Sequence, residues 1–187
     1  MNLPNYITLF RVVLIPFFIN LMIYGYYQEA LIVFVTACVT DALDGMIARL
    51  TRKKTALGAF LDPMADKLLL VSAFVTLVLL GKLPVWLVII VVSRDFILSL
   101  GTLILFVTGH DLKILPSIPG KITTALQLTV VTLTLIFMTY GTEMRLMSVL
   151  FWLTAGITIV SGGQYVGRGM KLVHIEQTDK PESGKYG

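Results

Sequence analysis

The sequence predicts an all-α integral membrane protein of six transmembrane helices, with a short N-terminal interfacial segment and both termini cytoplasmic. Three observations carry that expectation. Of the 187 residues, 56% are hydrophobic and only 14% charged, against about 25% charged in an ordinary soluble domain, and the mean hydropathy is +0.86. The apolar residues arrive in runs of about 20, the length an α-helix needs to cross a bilayer. The runs are continuous rather than short and alternating, which excludes a transmembrane β-barrel.

The runs break at turn and charge signals: Tyr26–Glu29, Thr51–Gly58, Gly81–Pro84, Gly109–Pro119 and Gly141–Arg145. The expected spans are therefore 6–26, 30–50, 61–80, 84–108, 118–140 and 146–168. The first ten residues lack the Lys or Arg of a cleavable leader and read as the interfacial segment, with Asn5, Thr8 and Arg11 on one helix face. Residues 1–173 read as one transmembrane domain, and the polar segment 174–187 as a disordered tail. The lone cysteine, Cys38, lies inside an apolar run and reads as a small buried residue.

Lys and Arg set the orientation. Arg52, Lys53 and Lys54 follow the second span, Lys113 and Lys121 the fourth, and Lys171, Lys180 and Lys185 occupy the C-terminal region. The other connections offer only Lys82 and Arg145. The formal net charge of +4 thus belongs mostly to a cytoplasmic rim facing anionic headgroups. No aromatic and basic stripe suited to nucleic acid accompanies it.

Five aspartates stand in or at the ends of apolar spans: Asp41, Asp44, Asp62, Asp66 and Asp95. An aspartate at the bilayer centre costs on the order of 3 kcal/mol on insertion scales, so such a cluster points to function. Asp41 and Asp44 are three residues apart and Asp62 and Asp66 four, so each pair shares a helix face. Gly45, Ala48 and Arg49 continue the first face; Gly58 extends the second if that helix starts early. With no His or Cys beside them, the carboxylates favour hard cations such as Mg²⁺, Mn²⁺ or Ca²⁺. Two metals held side by side suit in-line displacement at phosphorus. Arg49 offers a guanidinium fork for a phosphate, and Thr55 a hydroxyl donor.

The run from Asp41 to Asp66, DALDGMIARLTRKKTALGAFLDPMAD, resembles the CDP-alcohol phosphotransferase signature at every fixed position: Asp-x2-Asp-Gly-x2-Ala-Arg-x8-Gly-x3-Asp-x3-Asp. The opening PNYITLFR is similar to the family's first segment, and the six-span layout extends the likeness to nearly the whole chain. The resemblance implies two divalent cations, Mg²⁺ or Mn²⁺, on Asp41, Asp44, Asp62 and Asp66, with Asp66 also the general base. It assigns Asn5, Thr8, Gly45, Arg49, Thr55 and Gly58 to the CDP-lipid, with Gly58 giving a tight entry to the third span. It further implies a homodimer in a bacterial inner membrane, its active site opening to the cytoplasm, that transfers a phosphatidyl group from CDP-diacylglycerol to an alcohol with release of CMP.

The alcohol must be chosen outside that run. Arg94, Lys121 and Arg168 are candidate ligands for an acceptor phosphate; an Arg94–Asp95 ion pair and interfacial snorkelling of the other two are the structural alternatives. Asp62 to Lys67 and the set Gly120, Lys121, Thr124 and Gln127 are similar to the phosphatidylglycerophosphate synthase branch. Ser93-Arg94-Asp95 and Pro116 look more like the cardiolipin synthases, and Thr123 departs from the Lys usual in the first branch. Glycerol 3-phosphate is the expected acceptor, phosphatidylglycerol the alternative. An ion or proton transporter explains the buried acids but not Arg49 or the Gly-x3-Asp-x3-Asp spacing. A prenyltransferase of the membrane is expected to be longer, with another Asp spacing, and a scaffold has no need of buried acids.

Overall fold

A computed structural model describes residues 3–51, 56–107, 118–141 and 147–178, with side chains over 9–41, 67–101, 119–141, 147–165 and at 167. Six helices follow one another: α1 (Leu3–Ile23), α2 (Tyr27–Thr51), α3 (Ala56–Leu79), α4 (Val85–Val107), α5 (Ile118–Tyr140) and α6 (Met147–Thr178). The described residues contain no strand.

The helices end where glycine permits it. Gly25 and Gly81 adopt φ of 81° and 67°, a left-handed conformation that costs an L-residue with a side chain roughly 1–2 kcal/mol. Each closes the same pair of backbone bonds. Tyr26 N–H donates to Leu21 O at 2.9 Å and Gly25 N–H to Met22 O at 3.3 Å; Lys82 N–H donates to Leu77 O at 2.9 Å and Gly81 N–H to Val78 O at 2.8 Å. These bonds satisfy carbonyls that a helix terminus otherwise leaves open.

Three boundaries differ from expectation. The N-terminal interfacial segment is not separate: α1 runs unbroken from Leu3. Pro4 falls in its first turn, where a missing N–H removes no helical bond, and the helix passes through Pro16. The third helix begins at Ala56, so Gly58 lies in its first turn rather than in the entering loop; Ala56, Leu57 and Ala59 are residues that favour helix. At the other end, α6 continues to Thr178 and takes in His174 to Thr178 of the expected tail. No glycine or proline stands between Met170 and Thr178 to stop it. Residues 179–187 lie outside the described residues.

The helices pack as a bundle. α1 lies against α2 and α3, α5 against α2, α3 and α6, and α4 against α3 and α6. Buried positions recur at helical spacing: Arg11, Phe18 and Met22 on α1; Ala30, Phe34 and Ala37 on α2; Leu70, Ala73 and Leu77 on α3. Small residues opposite rings let the backbones approach closely. Phe18 and Phe34 meet with ring centroids 5.8 Å apart. Pro119–Tyr140 and Met147–Tyr165 are long and apolar enough to cross a membrane; Leu9–Ile23 and Lys67–Leu79 are apolar but shorter stretches.

A Cβ at Gly81 meets nothing within 4 Å, so backbone strain alone sets the cost of substitution there. Gly81→Ala should lower stability by about 1 kcal/mol and Gly81→Asn by less, since Asn tolerates the left-handed region. Equilibrium unfolding in mild detergent measures both, and equal losses would mean that packing, not φ, decides this position.

Candidate active site

Aromatic contacts and ion pairs fall in different halves of the bundle. Phe18 against Phe34 and Trp86 against Trp152, stacked at 4.7 Å, lie in one half. In the other half every described ion pair joins two charged side chains of the bundle. That half contains the first turns of α1, α3 and α5, and it is the end at which residues 52–55 link α2 to α3.

The first pair joins α1 to α2. Arg11 Nη2 lies 2.7 Å from Asp41 Oδ1, the arginine side chain 1% exposed and the aspartate 41%. Helical spacing explains the meeting: Arg11, Phe18 and Met22 lie on one face of α1, and Ala30, Phe34, Ala37 and Asp41 on the face of α2 packed against it. Asp41 stays half-exposed while paired, so the ion pair does not enclose it.

The remaining carboxylates follow in register. Asp44 is in α2, one turn beyond Asp41, with Gly45 and Arg49 after it. Asp62 and Asp66 are in α3, two turns and one turn before Leu70, a member of that helix's buried stripe. The backbone therefore brings both carboxylate-bearing segments to the polar end of the bundle, joined by a connection of four residues. Asn5 and Thr8 stand in α1, two turns and one turn before Arg11. The side chains of Asn5, Thr8, Asp44, Gly45, Arg49, Gly58, Asp62, Asp66 and Arg168 lie outside the described ones, and Thr55 outside the described residues. Among the described residues no group of three or more His, Cys, Asp or Glu could hold a metal ion. The donor chemistry of the 41–66 segment is all oxygen, since it contains no His or Cys.

A second cluster joins α3, α4 and α6. Asp95, 5% exposed, accepts from Arg94 Nη1 at 2.7 Å, and its Oδ1 lies 3.8 Å from Lys67 Nζ. Lys67 Nζ also donates to the backbone carbonyl of Asp95 at 3.1 Å, and Arg94 Nη2 donates to Ser161 Oγ at 3.0 Å. One turn on, Tyr165 lies over Gly101 so closely that a Cβ there would stand 2.9 Å from its Cε1 and hydroxyl oxygen. That buried hydroxyl has no hydrogen-bond partner among the described residues. The helix beside them is polar as well: Thr123 and Gln127 of α5 and Thr154 and Thr158 of α6 are buried. Most of these hydroxyls bond within their own helix, as Thr123 does to Pro119 O at 2.9 Å and Thr158 to Thr154 O at 2.6 Å.

The three expected acceptor cations fare differently. Arg94 is held in an internal ion pair, the structural alternative. Lys121 is exposed, about 200° around α5 from buried Thr123. Arg168 lies in α6, two turns after Ser161. Sequence reasoning gave Arg11 no role of its own and did not connect Lys67 with Asp95. One signal was available: Arg11 is the only charged side chain in the first 28 residues.

Residues 1–160 match the CDP-alcohol phosphatidyltransferase family. The chain belongs to that family. It is 34% identical over 186 residues to a protein of Mycobacterium tuberculosis named "Probable phosphatidylglycerophosphate synthase", covering 95% of this chain and 86% of that one. It is 34% identical over 192 residues to the CDP-diacylglycerol–glycerol-3-phosphate 3-phosphatidyltransferase of Bacillus subtilis, covering 92% of this chain and 97% of that one. A Drosophila melanogaster protein named "Probable cardiolipin synthase (CMP-forming)" is 35% identical over 151 residues, covering 72% of this chain and 47% of that one.

The unequal exposure of Arg11 and Asp41 fixes which partner stability depends on. Asp41→Ala takes a carboxylate from a guanidinium that is 1% exposed and should cost on the order of 3 kcal/mol, whereas Arg11→Met keeps a similar volume and leaves at position 41 a carboxylate that can hydrate, for a loss within about 1 kcal/mol. Unfolding of the two variants in one detergent makes the comparison; equal losses would show that burial of Arg11 does not govern the pair.

Proposed function

We propose that this member of the family makes phosphatidylglycerophosphate, transferring the phosphatidyl group of CDP-diacylglycerol to the primary hydroxyl of glycerol 3-phosphate with release of CMP. The observation that carries the reading is the gathering of the two Asp-bearing segments, 41–44 and 62–66, at one polar end of the bundle. The names of the M. tuberculosis and B. subtilis relatives support the acceptor. The Drosophila relative and the run Ser93-Arg94-Asp95 favour a second reading, in which phosphatidylglycerol is the acceptor and cardiolipin the product.

In this reading the acceptor oxygen attacks the phosphorus that carries diacylglycerol. A new P–O bond forms as the bond to CMP breaks, and the hydroxyl proton passes to the Asp66 carboxylate. Arg49 grips the diphosphate, Gly45 leaves room for the nucleotide, and Asn5, Thr8, Thr55 and Gly58 complete the CDP-lipid site. Arg168 remains the candidate for the acceptor phosphate; Lys121, exposed on the side of α5 away from buried Thr123, suits snorkelling instead, and Arg94 is held by Asp95 and Ser161. Asp41, Asp44, Asp62 and Asp66 would hold two divalent cations, Mg²⁺ or Mn²⁺, which supply charge neutralisation to the diphosphate and the departing CMP. The donor set fits such ions: its ligands are oxygens, and Asp41 remains open while paired with Arg11.

The setting in this reading is a bacterial inner membrane crossed by all six helices. Large apolar side chains face outward from the bundle, among them Leu79 at 80% exposure, Ile23 at 64% and Phe96 at 62%. Patches of that kind suit lipid rather than water. Tyr24, Tyr26, Tyr140 and Trp152 are exposed toward the end opposite the described ion pairs, where an aromatic belt would meet the outer headgroups.

Purified protein offered CDP-diacylglycerol with glycerol 3-phosphate, phosphatidylglycerol, inositol phosphate or serine tests the acceptor. CMP release should require glycerol 3-phosphate, vanish with excess EDTA and return with Mg²⁺ or Mn²⁺. Turnover in EDTA would overturn the metal reading; release with phosphatidylglycerol alone would replace the product.

The carboxylates should also separate by role. Asp66→Asn should still bind CDP in calorimetry yet release CMP at about 1% of the normal rate or less. A near-normal rate would remove Asp66 as the base.

A further inference from the structure

Asp95 stands outside the four carboxylates of the proposed reaction, and it is the buried acid on which three helices converge. Its carboxylate takes Arg94 from its own helix and lies beside Lys67 of α3. Lys67 bonds in addition to the backbone of the same residue, which sets the height of α3 on α4 as well as its distance. Arg94 spends its second nitrogen on Ser161 of α6. Consecutive residues on a helix do not face each other, so the Arg94–Asp95 contact relies on the reach of the arginine stem. α6 runs close beside that stem: a Cβ at Gly162 would stand 3.5 Å from Arg94 Cγ, an ordinary contact distance.

Two cations and one anion meet here, and removal of the anion would leave like charges facing each other in a site of low dielectric. Lys67 directly follows Asp66. Whatever fixes the rotation and height of Lys67 therefore fixes the turn of α3 that bears Asp66.

We propose that Asp95 is a positioning residue: it braces Lys67 against α4 and, through Arg94, against Ser161 of α6, and so holds the Asp66 turn in its working phase. The inference rests on the reading of Asp66 as the base. A carboxylate is required at position 95 for its charge and its two neighbours, and no contact with either substrate is involved.

Two measurements test it on the full-length protein in nanodiscs. The first is kinetic. Asp95→Asn should lower kcat about 10- to 100-fold, the scale on which small misplacements act, while the KM for CDP-diacylglycerol stays within about twofold. Asp95→Glu, which keeps the charge, should recover most of the rate. Lys67→Met should lower kcat similarly, and the double variant no further than either single one, because the two act as one unit. The second needs no turnover. With Cys38→Ser as background, nitroxides at Leu68→Cys and Ile97→Cys, both exposed, report the α3–α4 distance by pulsed EPR. The distribution should be narrow in the parent, broadened by Asp95→Asn and narrow again with Asp95→Glu. An unchanged distribution, a raised KM with normal kcat, or additive effects of the Asp95 and Lys67 variants would overturn the proposal. A parent protein inactive on every alcohol would instead sink the functional reading, and the distances would still decide whether Asp95 braces α3.

Discussion

Charge buried in a helical bundle must be matched where it stands, and that requirement organises the polar half of this molecule. Arg11 is 1% exposed and meets Asp41; Asp95 is 5% exposed and meets Arg94 and Lys67. In both cases the partner on a different helix is supplied by the packing of that helix. The apolar half makes the matching possible. Phe18 on Phe34 and the alanines around them fix the spacing and phase of α1 on α2, and the same phase two turns away brings the guanidinium to the carboxylate. Packing and electrostatics are thus two ends of one helical register.

In the proposed reading one residue serves two purposes. Asp41 is the first acid of the family signature and the counter-charge of a buried arginine. Its carboxylate, 41% exposed while paired with Arg11, can answer to both. Loss of activity on substituting Asp41 therefore reports on fold and chemistry together. Asp44, further along α2, lies beyond the described ion pairs, and Asp66 is separated from the brace by a single peptide bond.

Much of this was legible in the residues. The fifth helix coincides with its apolar run, 118–140, because glycine or proline bounds it on both sides. The end of the sixth was not, because Lys171 to Thr178 is polar yet free of helix breakers, and a polar helix and a polar tail read alike. The four carboxylates announced themselves through their cost in an apolar run. The ion pairs between helices did not, since Arg11 and Asp41 are 30 residues apart and Lys67 and Asp95 are 28 apart; only the packing of α1 on α2 and α3 on α4 brings them together. The six-helix order was visible, whereas the choice between an ion pair and a ligand for Arg94 needed the position of Ser161.

Gly101 gives this polar end a mechanical property separate from its charges. A methyl group on residue 101 would stand 2.9 Å from the far edge of the Tyr165 ring, so the bare backbone of α4 lets an aromatic of α6 lie flush against it. A methyl group there would push the tip of the ring aside while leaving every ionised group intact. The position is a steric latch, through which the shape of the interior can be altered independently of its electrostatic field.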